Sequence, residues 1–185
     1  EAIASLLARI GTSDPVLAQA ALDAIIAGFD LSRFGRATAK FDPAELAQIN
    51  TRVIQQLDFA DVAAELEEAG VGGGGEFWQA VRDNLATLAE AGDWWTVCTA
   101  PLAPQITAAE VTTAAAELLP EGDLSADIWG DWTKAVAAET GAKGRGLFMP
   151  LRLALTGREK GPEIAPLLAF MGRDRIQARL RGETA

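Results

Sequence analysis

The sequence predicts an all-α protein, and three observations support this. Apolar residues recur at helical spacing along almost the whole chain, the apolar–polar alternation of strands is missing, and Asp-Pro and Gly residues stand where helices would begin and end. The 185 residues suffice for one large core or two smaller helical domains.

The N-terminal segment is predicted to form two helices. The apolar residues of the first share one stripe and are Ile3, Leu6, Leu7 and Ile10. This helix stops at Gly11. Asp14 then supplies an N-cap and Pro15 a first-turn proline for a second helix that runs to about Ala27.

The stretch "FDPAELAQINTRVIQQL" has the same Asp-Pro pair at its predicted helix start. Asp42 is the predicted N-cap, Pro43 the first helical residue, and Glu45 stands three residues after the cap. The residues predicted to face inward are Leu46, Ile49, Val53, Ile54 and Leu57. A further helix is expected from Phe59 to Ala69.

The run "VGGGG" at 71–75 is predicted to be a flexible loop or linker, because glycine destabilises helix interiors. It lacks the lysine and Ser/Thr of a phosphate-binding P-loop. One amphipathic helix, "EFWQAVRDNLATLAEAG", is expected to follow, and then the pair Trp94 and Trp95.

The rest of the sequence predicts five helices. "ITAAEVTTAAAELLPEG" and "DIWGDWTKAVAAETG" are followed by "LFMPLRLALTG", "GPEIAPLLAFMG" and "RDRIQARLRG". Pro150 suits a first turn, whereas Pro166 strains its helix. The residues of "LFMPLRLALTG" that can face inward are Leu147, Leu151, Ala154 and Leu155.

Composition excludes several classes of chemistry. The chain has no histidine, which removes the usual general base and zinc ligand, and its single cysteine, Cys98, excludes an internal disulfide framework. No apolar run reaches the length of a membrane span, and the first residues lack the basic region of a signal peptide. We therefore expect a cytoplasmic protein without a membrane partner, and a monomer.

Charge is distributed unevenly. Residues 1–128 carry 6 basic and 20 acidic side chains, whereas residues 129–185 carry 10 and 6, within a net charge of −10. "TGAKGRG" exposes Lys143 and Arg145 on a predicted glycine-rich loop, and Arg152 stands on an otherwise apolar helix ahead of Arg158. For Arg152, the residues alone leave two explanations equally open. It contributes to a site for phosphate or a nucleobase, or it is paired to a neighbouring helix.

Other candidates have plainer structural explanations. Asp58 with Asp61, and Glu67 with Glu68, are more simply solvated helix residues than catalytic dyads. The tryptophans at 94, 95, 129 and 132 have the spacing of core residues, although they have rings able to stack on bases.

The segment "ETGAKGRGLFMPLRLALTGREKGPEIAPLLAFMGRDRIQARL" resembles the anticodon-binding region of bacterial glutamyl-tRNA synthetases, with the octad P-L-R-x-A-L-T-G at 150–157. "FGRATAKFDPAELAQIN" is similar to the stem-contact region of the same family, so the resemblance spans the whole chain. It implies an all-α helical bundle or cage of the class I aminoacyl-tRNA synthetase anticodon-binding type. The segments implied are a stem-contact remnant at 1–57 and two anticodon-binding subdomains at 58–103 and 104–185.

The resemblance also implies roles for particular residues. The residues placed at the anticodon are Arg152, Gly161, Pro162, Ile164 and Arg82. Those placed on the RNA backbone are Lys143, Arg145 and Arg158. No arginine stands near Thr87 or Leu88, where some members distinguish glutamate from glutamine tRNA, so the resemblance leaves open which of the two tRNAs is the partner.

The implied function is anticodon recognition within a glutamate–tRNA ligase, and ATP and magnesium are then cofactors of the full-length parent and not of this chain. No histidine-containing catalytic signature is present, so the chain is expected to be an inactive C-terminal fragment. The alternative is an acidic all-α protein-interaction or scaffold module without RNA binding. An independent enzyme fits the sequence least.

Overall fold

A computed structural model describes residues 1–36, 38–122 and 124–185, so Ala37 of the stem-contact stretch lies outside it. The regular secondary structure of the described residues is helical, with no strand among them, which confirms the predicted fold class. No helix in these ranges has the length and apolar character needed to cross a membrane.

Eleven α-helices are found in the described ranges. They are α1 Ala2–Leu7, α2 Leu22–Ala27, α3 Pro43–Ile54, α4 Phe59–Glu68, α5 Gly74–Val81, α6 Glu90–Thr99, α7 Ala109–Glu117, α8 Ile128–Thr140, α9 Arg145–Thr156, α10 Ile164–Met171 and α11 Arg173–Leu180. The chain divides into an N-terminal unit, Glu1–Val71 with Arg82–Gly92, and a C-terminal unit, Gly72–Val81 with Asp93–Ala185. The three segments 1–57, 58–103 and 104–185 stay a prediction.

In the N-terminal unit, α1 packs against α3. The shared cluster consists of Ala2, Leu6, Ile49 and Val53, with Val16, Ala18, Ala20 and Leu46 packed against it. The predicted stripe of α1 is wrong in part, because Ile3 and Leu7 are exposed. Only six residues are helical, so Ala2 and Leu6, four apart, form the buried face.

The second helix begins at Leu22 and not near Asp14, so this prediction is wrong. The carboxylate of Asp14 accepts hydrogen bonds from Arg9 and Arg33 and is therefore not a helix cap. The backbone of Gln19 is also tied to the Ser5 hydroxyl, which accepts from its N–H and donates to its carbonyl. These long-range bonds compete with helical ones between residues 14 and 20.

The start of α3 is as predicted. Pro43 is its first residue, and the Asp42 carboxylate accepts from the Ala44 N–H at 2.8 Å. The Asp58 N–H donates to the Asp61 carboxylate at 2.8 Å before α4, which identifies this acidic pair as a helix cap.

Replacing Asp42 by alanine should lower the free energy of unfolding by about 1 kcal/mol, because it removes the acceptor of an otherwise unpaired helix N–H. Urea denaturation of the full chain measures this. Asp42→Asn keeps the acceptor and should change stability by only a few tenths of a kcal/mol. Equal losses for both variants would contradict the capping role.

The single helix predicted from Glu76 to Gly92 is two helices, α5 and α6. Asn50 of α3 and Gln55, the residue that follows α3, bind the connecting backbone. The Asn50 amide donates to the Ala86 carbonyl and the Gln55 amide to the Asp83 carbonyl. The Ala86 N–H also donates to the Glu90 carboxylate at 2.9 Å. These bonds replace helical ones between α5 and α6. The tryptophan pair lies within α6 and not after a helix.

The glycine run is packed and is not a free linker, so that prediction is wrong. Gly74 and Gly75 are the first two residues of α5. A Cβ on Gly72 would lie 2.6 Å from Cζ2 of Trp95, and one on Gly73, whose φ is +76°, would lie 2.9 Å from Cε1 of Phe170. Glycine is required here because two aromatic rings approach the backbone closely.

In the C-terminal unit, α7 packs against α8, α9 and α11, and α10 packs against α5 and α11. Pro166 does not strain its helix, contrary to the prediction. It is the third residue of α10, where a backbone N–H has no partner within the helix.

Candidate nucleic-acid interface

The basic segment singled out in the sequence begins where α8 ends. Gly141 ends that helix in a left-handed conformation, and Lys143 lies exposed in the short loop that follows. Arg145 is also exposed, but it is the first residue of α9 and not part of the loop, so its predicted placement is wrong. Both cations remain accessible to a polyanion.

Helix α9 begins earlier than predicted. The Gly144 carbonyl accepts from the Phe148 N–H at 3.0 Å and thereby closes a turn ahead of Pro150. Pro150 is consequently the sixth residue of the helix and not a first-turn residue. The residues predicted to face inward, Leu147, Leu151, Ala154 and Leu155, are all buried, which confirms that face.

Arg152 lies half-buried on α9. Its Nη2 donates to the Pro162 carbonyl at 2.7 Å, so its bonding partner is a backbone oxygen. Its Nη1 is enclosed and has no hydrogen-bond partner among the described residues. Burial lowers the pKa of Arg152, and the charge of Glu163 opposes this shift. The guanidinium is thus anchored at one nitrogen and unsatisfied at the other.

A pocket of about 310 Å³ lies beside Arg152. Its lining residues are Trp129, Phe148, Arg152, Glu163, Ile164 and Ala165. The rings of Trp129 and Phe148 have centroids 6.3 Å apart at an interplanar angle of 34°. Phe148 is 44% exposed, so its ring is available to a ligand.

Trp129 and Trp132 were both predicted to be core residues. Trp132 is buried, and its indole N–H donates to the Ala115 carbonyl at 3.0 Å, which confirms its core role. Trp129 is half-buried, contacts Trp132 edge-on and lines the pocket. The core prediction for Trp129 is therefore wrong, because residue spacing does not show which side of a helix faces a cavity.

Three predicted anticodon residues lie between α9 and the first residue of α10. Pro162 is buried and supplies the carbonyl that holds the guanidinium, and Ile164 is buried at the start of α10 and lines the pocket. Gly161 faces Trp94, since a Cβ there would overlap the indole ring. Their predicted contacts with RNA stay predictions.

Arg158 is exposed, and its Cζ lies 4.7 Å from the ring centroid of Trp94. This is a cation–π distance, so the side chain is oriented by an aromatic ring. Trp94 itself is buried, as its spacing predicted.

Arg82 belongs to the N-terminal unit, whereas the other seven predicted site residues belong to the C-terminal unit. Its Nη1 donates to the Leu57 carbonyl at 3.2 Å, and its Nε lies 3.5 Å from the Asp83 carboxylate. Contact of Arg82 with the anticodon stays a prediction.

Sequence reasoning missed Trp129, Phe148 and Glu163 as members of the pocket. One signal was present for Phe148, which stands four residues before Arg152 and therefore shares its helix face. Glu163 stands between Pro162 and Ile164, which the family resemblance already connected with Arg152. Nothing in the sequence connected Trp129 with Arg152, because Trp129 lies on another helix.

Part of the basic C-terminal charge binds backbone carbonyls inside the fold. Arg179 is fully buried and donates to the carbonyls of four residues, which are Val97, Ala100, Leu155 and Ala185, each at 2.8 Å. Burial, together with the positive charge of Arg175, lowers the pKa of Arg179 to about 10, so it stays charged at neutral pH. Arg175 donates to the carbonyls of Cys98, Thr99 and Met171.

Known proteins resemble this chain over its full length. It is 46% identical over 184 residues to glutamate–tRNA ligase 1 of Maricaulis maris and 47% identical over 185 residues to the glutamate–tRNA ligase of Azospirillum brasilense. In both comparisons all of this chain is matched, and it spans 41% of the length of each relative.

The fold is also that of a solved structure. The crystal structure of glutamate–tRNA synthetase from Elizabethkingia anophelis matches 97% of this chain with a TM-score of 0.75 and 22% identity, over 39% of its own length. The pattern of the family described as anticodon binding domain matches residues 76–183. These residues are more than half of the sequence and include α9, the Arg152 pocket and the loop after α9, so the chain belongs to the anticodon-binding domain family.

Proposed function

We propose that the C-terminal unit binds the anticodon of glutamate tRNA, with one unpaired base in the Arg152 pocket. The observation that supports this best is the guanidinium itself, which is fixed at Nη2 and lacks a partner at Nη1 beside an aromatic-walled pocket. A buried donor without a partner costs about 1–3 kcal/mol, which a hydrogen-bond acceptor on a base edge would recover.

The pocket suits a nucleobase better than a phosphate. Unstacked RNA bases bind to aromatic side chains and are read through hydrogen bonds to their edges, and Trp129 with Phe148 supplies the aromatic surface. Glu163 lines the same pocket, and its negative charge would repel a phosphate. Lys143 and Arg145, which are exposed, are the candidates for the phosphate backbone.

We also propose that the chain acts within a longer protein that joins glutamate to tRNA, as the names of its relatives state for them. Anticodon contacts would then supply binding energy that is used at the distant reacting end of the tRNA. No group of His, Cys, Asp or Glu side chains in the described ranges is arranged to hold a metal ion. Our proposal assigns ATP and magnesium to the remainder of the longer protein, and we expect no ATP–pyrophosphate exchange from this chain.

The test is a titration of the full chain with 17-nucleotide anticodon stem-loops at low and moderate salt. One stem-loop has a glutamate anticodon, and the others have a single anticodon base changed. Arg152→Ala should reduce the preference for the glutamate anticodon roughly 10- to 100-fold, because it removes the donors to a base edge. Lys143→Ala should weaken binding to every stem-loop to the same extent, and it should reduce the salt dependence of binding.

Two results would contradict the proposal. Equal binding of all stem-loops by the unaltered chain would favour the acidic protein-interaction module. Equal effects of Arg152→Ala and Lys143→Ala on every stem-loop would contradict the separation of base reading from phosphate binding. Comparison with a glutamine-anticodon stem-loop also tests which tRNA is the partner.

A further inference from the structure

We infer that Trp94 is a positioning residue for Arg152. Its ring supports the loop at 157–163, and this loop presents the Pro162 carbonyl to which the guanidinium is bound. The reading of a base by Arg152 rests on the proposed function, whereas the positioning is a property of the free protein.

Trp94 lies on α6 and is only 4% exposed, so its ring has a fixed place in the C-terminal unit. Two residues of the loop lie against this ring. At one point the guanidinium of Arg158 stacks on it, with 4.7 Å from Cζ to the ring centroid. At another point Gly161 approaches the ring edge.

The approach at Gly161 leaves no room for a side chain. A Cβ there would overlap Cζ2 and Cη2 of Trp94, far inside van der Waals contact. The φ of Gly161 is +141°, a conformation that other residues rarely adopt. The Gly161 backbone therefore lies against the edge of the six-membered indole ring, one residue before Pro162.

The position of Pro162 determines that of Arg152. The bond from Nη2 to the Pro162 carbonyl is 2.7 Å long and crosses ten residues of sequence. Thr156 fixes the start of the same loop, because its hydroxyl donates to the Arg152 carbonyl at 2.7 Å and accepts from the Arg158 N–H at 3.2 Å. A shift of the loop at Gly161 would thus move the carbonyl that orients the guanidinium.

Trp94 is not among the residues that line the Arg152 pocket. Its predicted effect on base reading is therefore indirect and passes through Arg152. This distinguishes it from Trp129 and Phe148, whose rings face the pocket.

The first experiment measures the free protein. In the nitrogen-15 NMR spectrum of the full chain, Arg152 should show separate, slowly exchanging Nη signals, assigned by their loss in Arg152→Lys. Trp94→Phe removes Cζ2 and Cη2 but keeps a buried aromatic ring, and it should average these signals. Trp78→Phe, at a fully buried tryptophan of α5, should leave them unchanged.

The second experiment is a double-mutant cycle on stem-loop binding. Trp94→Phe should reduce the preference for the glutamate anticodon about fivefold in the unaltered chain, a size typical of coupled neighbours. In the Arg152→Ala background it should have no further effect on that preference. Trp78→Phe should leave the preference intact in both backgrounds.

The outcomes separate the two proposals. Unchanged Arg152 signals in Trp94→Phe would overturn the positioning role, whatever the RNA result. A selectivity loss of the same size in both backgrounds would also overturn it. Equal binding of all stem-loops by the unaltered chain would refute the proposed function, and the NMR comparison would still decide whether Trp94 positions Arg152.

Discussion

Replacing Arg179 by methionine is expected to lower the free energy of unfolding by roughly 3–4 kcal/mol. The side chain is fully buried, and its donors bind carbonyls at the end of α6, on α9 and at Ala185. Methionine fills a similar volume but leaves these acceptors without partners. The loss is limited because a buried charge and its desolvation cost are removed at the same time.

Urea denaturation of the full chain measures this effect. The control is Arg181→Met, two residues further along, because Arg181 is exposed and its substitution should change stability by less than about 0.5 kcal/mol. If Arg179→Met lowered the free energy of unfolding as little as Arg181→Met, the buried hydrogen bonds of Arg179 would add little to stability. Helix α11 would then be held mainly by its apolar residues, such as Ile176 and Leu180.

The second large effect is expected for Gly161→Ala, which should cost about 2–3 kcal/mol of unfolding free energy. Alanine at a φ of +141° is strained, and its Cβ would overlap the ring of Trp94. The same substitution should reduce base preference in the stem-loop titration, since the loop must move away from the ring and takes the Pro162 carbonyl with it.

Gly130→Ala is the matched control. Gly130 lies within α8, and a Cβ there would meet no atom within 4 Å. Alanine should therefore stabilise the chain by about 0.5–1 kcal/mol through its higher helix propensity. If Gly161→Ala were equally harmless, the close approach of the loop to Trp94 would be contradicted.

Local signals in the sequence predicted helix ends correctly where the residues concerned interact with their own helix. The cap at Asp42 and the glycine after α8 appear in the structure where the sequence places them. Prediction failed where a distant partner took over the same groups. Asp14 has the residue type of a cap but pairs with Arg9 and Arg33, and the helix through Leu85 is broken where Asn50 and Gln55 bind the backbone.

The residues of the candidate site were likewise predicted only in part. Arg152, Pro162 and Ile164 were identified from the sequence through the family resemblance, and the structure places them together. The aromatic wall was missed because Trp129 comes from another helix, α8. Residue spacing places a side chain on one face of its own helix but does not identify what that face contacts.

The sequence by itself determined the helical fold class, the start of α3 at Asp42, the end of α8 at Gly141, the buried face of α9 and the basic segment that contains Lys143 and Arg152. These properties depend on periodicity, caps and residue type, which act over a few neighbouring residues. Only the tertiary structure decided which arginines are internal, as Arg179 is, and which reach a pocket, as Arg152 does. That distinction depends on burial and on carbonyl partners up to about eighty residues away, such as Val97 for Arg179, and no local pattern contains this information.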